Sequence, residues 1–496
     1  MAENLKTQTV KGVWWSILER YSTQGVSFII TIVMSNILSP DEYGLIGMLA
    51  IFISLAQVFI DGGFANALIQ KSKRTDSDFS TVFWINIGIG LLCYILLFFA
   101  APYIAAFFEK DILIPITRVY AINLILNSLC AVNKVKLVID INFKTQLKIS
   151  LAAAVTSGIA GITCAIMGYG VWAIVVQLNT LAFMTALLSF IFVRWKPAFI
   201  FSKESFRSLF GFGSKLLIAQ TISTVYVNLY NVAIGKKYTS SELGLYTRAR
   251  QFVELASTNL TSVMTRVLFP VLSRVQDDDI QLMSAYRKFI SMVAFIVFPA
   301  ALGLAGIARP LILALINEQW VECVPFIQVL VFAYAMDGIT IINLNLLYVK
   351  GKSNIVLKLE IIKKTIAISI LLITIRYGVM AICLGQVTYA FIALTLNTRN
   401  TKKLLNYGLL SQIKDLYPYF LLSLVIMALA LLFDHLIVNS WIVLAVSLTV
   451  CPVAYVLLCR ILRLNALKEM AVIIASNSYC PVWFHKIITK FYPELS

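Results

Sequence analysis

Fourteen ionisable side chains interrupt apolar runs of this 496-residue chain. The basic ones are Arg20, Arg118, Lys215, Arg248, Arg250, Arg266, Arg309, Lys363 and Lys364; the acidic ones are Glu19, Asp61, Glu254, Asp337 and Glu360. A charge at the centre of a lipid bilayer costs at least ~2.5–3.5 kcal/mol, so each must face protein or water. Arg266, Lys215 and Lys364 stand near the ends of their runs, where a long side chain can reach the interface. Glu360 can pair with Lys363 or Lys364, and Arg250 with Glu254, at helical spacing. Arg20, Arg118 and Arg248 have no such outlet. A guanidinium fork matches a phosphate with two parallel hydrogen bonds. Arg20, Lys215, Arg248, Arg250, Arg266 and Arg118 are therefore candidates for a cationic cavity that takes an anion. The competing role for each is a structural ion pair or an interface anchor.

Asp61 in FIDGGFANALIQ and Asp337 in AYAMDGITI are each followed by glycine. They could titrate and couple the movement of a solute to protons or sodium. The reading with more weight makes each a helix kink whose carboxylate satisfies freed backbone groups.

The elements that must position these charges are membrane helices. The chain is 60% hydrophobic and 13% charged, with a mean hydropathy of +0.86. A soluble domain is nearer 45–50% apolar and about 25% charged. Continuous apolar runs exclude a β-barrel, whose strands alternate in ten-residue pieces. Fourteen runs predict helices over 14–37, 43–69, 80–106, 112–133, 149–167, 171–193, 209–234, 243–272, 288–315, 323–348, 359–375, 379–397, 416–433 and 440–459. With the N-terminus cytoplasmic, 28 Lys and Arg fall on inside segments and 4 on outside loops (Lys110, Lys236, Lys237 and Arg376). Both termini are expected in the cytoplasm. The net charge of +17 sits on short loops facing anionic lipid, so no nucleic-acid partner is expected. The start of the chain shows no cleavable signal. Eight cysteines without a C-x-x-C pair and two isolated histidines suggest neither a disulfide framework nor a metal site.

Two stretches repeat. SPDEYGLIGM at 39–48 is echoed by TSSELGLYTRA at 239–249, and GYGVWAI at 168–174 by RYGVMAI at 376–382. Pro115 and Pro325, and the Leu-Lys pairs at 147–148 and 357–358, keep a similar offset. Helices 1–6 and 7–12 thus read as two copies of one unit in the same orientation, with a cleft between them suited to alternating access. The expected divisions are an N-terminal lobe over 1–198, a C-terminal lobe over 199–405, two added helices over 406–462 and a cytoplasmic tail over 463–496. Ser39 with Glu42, and Thr239 with Glu242, have capping-box spacing.

ILSPDEYGLIGMLAIFISLAQVFIDGGFANALIQ, STVFWINIGIGLL, GYGVWAIVVQ, ELGLYTRARQF, RVLFPVLSRVQDD and AYRKF together resemble the polysaccharide exporters of the colanic-acid-exporter-like kind. These belong to the multidrug/oligosaccharidyl-lipid/polysaccharide exporter superfamily. The resemblance covers the first twelve helices. It implies an all-α polytopic fold of two pseudo-symmetric six-helix lobes in a V, plus two C-terminal helices. It also implies a flippase that moves undecaprenyl-diphosphate-linked oligosaccharide across a bacterial inner membrane for surface polysaccharide synthesis. Membrane lipids and a polysaccharide polymerase are the implied partners, and the cavity cations would meet the diphosphate. Relatives often carry an acid before the Asn of an NLIIG-like stretch, whereas this chain has Tyr230 in LYNVAIG, so a coupling role for that acid does not carry over. The alternatives are a cation-coupled multidrug exporter of the same superfamily and a membrane glycan polymerase or ligase. Basic excess argues against the first; short outside loops without a nucleophile motif or phosphate-cradling glycine loop argue against the second. No enzyme and no cofactor is expected.

Overall fold

The computed structural model describes residues 2–475 apart from Gly62 and Ser72, and every regular element among them is helical. In chain order these are α1 (Ala2–Ile37), α2 (Pro40–Asp61), α3 (Phe64–Gln70), α4 (Asp76–Phe108), α5 (Leu113–Tyr120), α6 (Ile122–Ile139), α7 (Phe143–Ile166), α8 (Val171–Val193) and α9 (Lys203–Lys237). There follow α10 (Ser240–Ala256), α11 (Thr258–Arg274), α12 (Asp279–Leu315), α13 (Val324–Val349) after a 3₁₀ turn at Glu318–Cys323, α14 (Ser353–Thr374), α15 (Val379–Leu405), α16 (Leu409–Leu436), α17 (Ser440–Ile461) and α18 (Asn465–Ala475). All fourteen expected runs are helical, but the second, fourth and eighth are each broken into two helices.

Eleven of the helical spans among the described residues are long and apolar enough to cross a membrane. The three expected spans outside that set are α1, α10 with α11, and α14. These carry Glu19 and Arg20; Arg248, Arg250, Glu254 and Arg266; and Glu360, Lys363 and Lys364. Their charges lower the hydropathy, so they need neighbours that accept those charges.

The helix starts follow the sequence. Glu42 Oε2 accepts hydrogen bonds from Ser39 N (2.6 Å) and Ser39 Oγ (3.0 Å), and Glu242 Oε2 from Thr239 N (3.0 Å) and Thr239 Oγ1 (2.9 Å). The two echoes are thus equivalent caps on α2 and α10, satisfying donors that a helix start leaves orphaned. The second echo is equivalent too. Gly170 before α8 and Gly378 before α15 both adopt positive φ, 55° and 102°, where a side chain would clash.

The chain divides into two compact units, Met1–Gly244 and Leu245–Ser496. The lobe boundary read at 198/199 and this division differ by α9, which packs on α2, α3 and α4. In unit 1, small residues of α7 (Ala154, Ser157, Gly158, Gly161 and Ala165) let α1 and α8 approach closely. Gly158 receives Ile30 and Gly161 receives Met34 and Gln177. A second core joins Phe64, Leu68, Phe79, Phe83, Val132 and Val135.

In unit 2, α12 is the central helix and packs on α13, α16 and α17. It is pinned by a buried polar chain. Tyr286 Oη donates to Asn343 Oδ1 (2.8 Å), Asn343 Nδ2 to Gln412 Oε1 (3.1 Å), and Gln412 Nε2 to Asn343 Oδ1 (2.8 Å) and Thr401 Oγ1 (3.3 Å). Thr401 Oγ1 donates to the Tyr407 carbonyl (3.0 Å), and Tyr407 Oη to Asp415 (2.6 Å), which also takes two hydrogen bonds from Arg287. A satisfied network of this kind specifies one packing of its helices.

Candidate functional site

Among the described residues, one group of charged side chains gathers in unit 2, on α10, α13 and α14. Arg250 and Glu254 are four apart on α10, so helical geometry stacks them on one face. Arg250 Nε donates to Glu254 Oε1 at 2.7 Å, the pair expected from spacing. The same oxygen accepts from Tyr334 Oη of α13 at 3.2 Å. One turn along α13 stands Asp337, faced by Lys363 of α14. Lys363 is 5% exposed and ion-paired with Glu360, the i,i+3 partner expected for it. α10 is tied further by Ser257 Oγ donating to the Tyr334 carbonyl (2.7 Å) and by Gln386 Nε2 of α15 donating to Tyr246 Oη (2.9 Å).

Arg248, on the same helix, is 3% exposed. Its Nη1 donates to Gln251 Oε1 (2.8 Å), and its guanidinium lies 4.9 Å from the Trp320 ring centroid, a cation–π arrangement. It is built into the wall of unit 2.

The remaining candidates are dispersed. Arg118 is clamped to α4 in unit 1, its guanidinium 4.4 Å from the Phe98 ring centroid and its Nε 3.4 Å from the Phe98 carbonyl. Arg20 is exposed on α1. The side chains of Lys215 on α9 and Arg266 on α11 lie outside the described residues. Asp61 ends α2 and is faced by Gln57, one turn earlier, and by Lys134 of α6.

The two glycine-followed carboxylates differ. At Asp61 the helix does break, and α3 resumes at Phe64 after Gly63 at φ 29°. At Asp337 the kink reading is corrected: α13 runs unbroken through it, and Gly338 makes room for Thr261 of α11 instead. Among the described residues no cluster of His, Cys, Asp and Glu could hold a metal ion.

Sequence reasoning missed Tyr334 and Lys134. Tyr334 sits three residues before Asp337, on the same helix face, and that spacing was the available signal. Lys134 falls just past the apolar run that ends at 133, yet α6 continues to Ile139.

Comparison with known proteins then bears on the chemistry. A model of the family described as "Polysaccharide biosynthesis protein" matches residues 33–325. The teichuronic acid biosynthesis protein TuaB of Bacillus subtilis (strain 168) is 24% identical over 357 residues, covering 71% of this chain and 73% of its own. The lipopolysaccharide biosynthesis protein WzxC of Escherichia coli (strain K12) is 24% identical over 395 residues, covering 78% and 79%. The lipid II flippase MurJ in an inward closed conformation matches the fold with a TM-score of 0.73 at 16% identity, over 91% of this chain and 98% of its own.

Proposed function

The chain belongs to the polysaccharide biosynthesis protein family, and from that premise we propose that it is a flippase for lipid-linked oligosaccharide. Its cargo is an undecaprenyl-diphosphate-linked repeat unit, moved by alternating access from the cytoplasmic to the periplasmic leaflet of a bacterial inner membrane. Both termini lie in the cytoplasm, and a polymerase uses the delivered unit.

The observation that carries this reading is the Arg250–Glu254–Tyr334 cluster, with Asp337 and Lys363 beside it, in a chain that is 60% hydrophobic. Taking a diphosphate out of water is costly unless cations replace its hydration. Arg250 is held by a carboxylate that a diphosphate can displace, so charge stays compensated before and after loading. Tyr334 then keeps Glu254 satisfied while its guanidinium partner is away. Arg248 and Arg118 position their helices. Asp61 and Asp337 are the coupling carboxylates. Each is met by an ammonium group, so binding a proton or sodium ion changes which partner that ammonium holds.

The test is transport by the full-length protein in proteoliposomes. The probe is undecaprenyl-diphosphate-GlcNAc carrying a fluorophore, scored by its protection from an impermeant quencher. Wild type moves the probe, Arg250→Ala slows it by at least ~10-fold, as expected for loss of one charge-assisted contact, and Lys352→Ala does not. No movement above protein-free vesicles overturns the reading. Extrusion of a cationic dye without movement of the glycolipid would favour a multidrug exporter.

A further inference from the structure

A second polar site in unit 2 lies apart from that cluster. A cavity of about 560 Å³ opens between the first turns of α12, the first turns of α16 and the start of α18. Four cations line it: Arg287 and Lys288 of α12, Lys414 of α16, and Arg463 between α17 and α18. Two carboxylates stand against them, and both are engaged. Asp415 accepts Arg287 Nε and Nη2, each at 2.8 Å, and Glu469 Oε1 lies 3.6 Å from Lys288 Nζ. Lys414 and Arg463 have no carboxylate within ion-pair distance among the described residues. Arg463 stands at φ 51°, the left-handed conformation in which a helix end ordinarily places glycine. Its N–H donates to the Arg460 carbonyl and that of Leu464 to the Cys459 carbonyl, both at 3.0 Å, turning the chain into α18. An arginine there brings a guanidinium to the cavity.

The same face of α12 continues into an apolar cavity of about 440 Å³, walled by α16 and α17. Phe295, Pro299, Gly303 and Ile307 follow one another along it at intervals of about one turn. Phe295, in the wall of the apolar cavity, lies 6.3 Å from the ring of Tyr419, which lines the polar one, and 5.4 Å from that of Tyr455, which lines the apolar one. Nothing lies within 4 Å of where a side chain on Gly303 would begin, so the furrow is open there. From Lys288 to Gly303 the helix rises about 22 Å. One leaflet of hydrocarbon is about 15 Å deep.

We propose that the two cavities together hold one anionic glycerophospholipid of the leaflet that faces the basic loops. Its phosphate rests on Lys414 and Arg463, and an acyl chain lies along Phe295, Pro299 and Gly303. A free phosphate would use the polar cavity alone, whereas the apolar continuation on the same helix face selects a lipid. The bound lipid thus ties α16 and the turn before α18, through its headgroup, to α12, through its acyl chain, and so stabilises unit 2. None of this depends on which solute the protein carries.

The test is native mass spectrometry of the full-length protein titrated with phosphatidylglycerol or phosphatidylcholine, together with the thermal shift each lipid produces. Phosphatidylglycerol binds wild type and raises its Tm, phosphatidylcholine binds weakly, and excess inorganic phosphate does not displace the lipid. Removing two cations with Lys414→Ala/Arg463→Ala lowers phosphatidylglycerol affinity about 30-fold. Gly303→Leu, which fills open space, also lowers it, while Lys352→Ala/Lys358→Ala, at the start of α14, leaves it unchanged. Undiminished phosphatidylglycerol binding by the Lys414/Arg463 variant overturns the proposal. Displacement of phosphatidylglycerol by inorganic phosphate, with Gly303→Leu at wild-type affinity, assigns the cavity to a free anion and overturns it equally.

Discussion

Gly44 and Gly244, 200 residues apart, each present a bare Cα to the backbone that opens the other's helix. A Cβ on Gly44 would lie 1.7 Å from the Ser240 carbonyl oxygen, and one on Gly244 would lie 1.9 Å from that of Pro40. The two capped starts cross reciprocally, and Ser240 Oγ donates to Asp41 beside the crossing. The obstacle in both cases is backbone, which cannot swing aside. Gly44→Ala or Gly244→Ala should therefore destabilise by ~1–3 kcal/mol through overpacking. Gly88→Ala, mid-helix in α4 with nothing within 4 Å, should instead stabilise by ~0.5–1 kcal/mol. Thermal unfolding of the three variants checks the opposite signs.

Glu254→Gln removes the negative partner of Arg250 while keeping the shape of the side chain. The pair is partly exposed, at 20% and 40%, so the loss should be modest, ~1–2 kcal/mol. The double variant Arg250→Ala/Glu254→Ala should recover part of that stability, because no unpaired charge remains. Transport should stay lost in the double variant. Stability and transport measured side by side separate the two roles.

Asn343→Leu cuts the buried chain at its centre. Tyr286 Oη and Gln412 Oε1 lose their partners where neither can reach water, at ~1–3 kcal/mol for each orphaned group, while Gln412 Nε2 keeps Thr401. A drop in denaturation midpoint several times that of Asn400→Leu, on the partly exposed face of α15, would bear this out. Equal drops would show the network adds nothing beyond packing.

Glu109, outside the membrane spans, is held below the usual carboxylate range by the hydrogen bond from Lys236 Nζ at 2.7 Å. Its folded pKa lies below its unfolded value, so its stabilisation is fully present above the ordinary value near 4.5. That stabilisation is lost as pH falls through the lowered folded value. Glu109→Gln should be less stable than wild type at neutral pH, with the gap closing in acid. Lys236 keeps its cation–π contact with Phe107 in that variant, so the carboxylate alone is probed. A gap independent of pH would refute the assignment.

Much of this was legible in the residues. Glu42 and Glu242 announce their caps three positions after a hydroxyl, Glu254 its partner four positions away, and Gly170 and Gly378 their matching turns. Asp337 shows the limit. A glycine after a carboxylate reads as a kink, yet α13 continues because Gly338 serves the approach of Thr261 from another helix. Arg118 and Arg248 read as solute-facing cations because no carboxylate stands within a turn of either. Their ring partners, Phe98 and Trp320, lie 20 and 72 positions away.

By itself, then, the sequence determined the membrane class, the helical runs, the caps, the local ion pairs and the repeat. Each of these depends on composition or on spacing within a turn or two, where helical geometry dictates who meets whom. Only the tertiary structure decided that Tyr334 joins Arg250 and Glu254, that Lys134 faces Asp61, that Lys363 faces Asp337, and that Arg463 and Lys414 share a cavity. Those meetings depend on how far each helix is rotated about its own axis. That rotation is set by close packing of small side chains against neighbouring helices, which no spacing along one chain encodes.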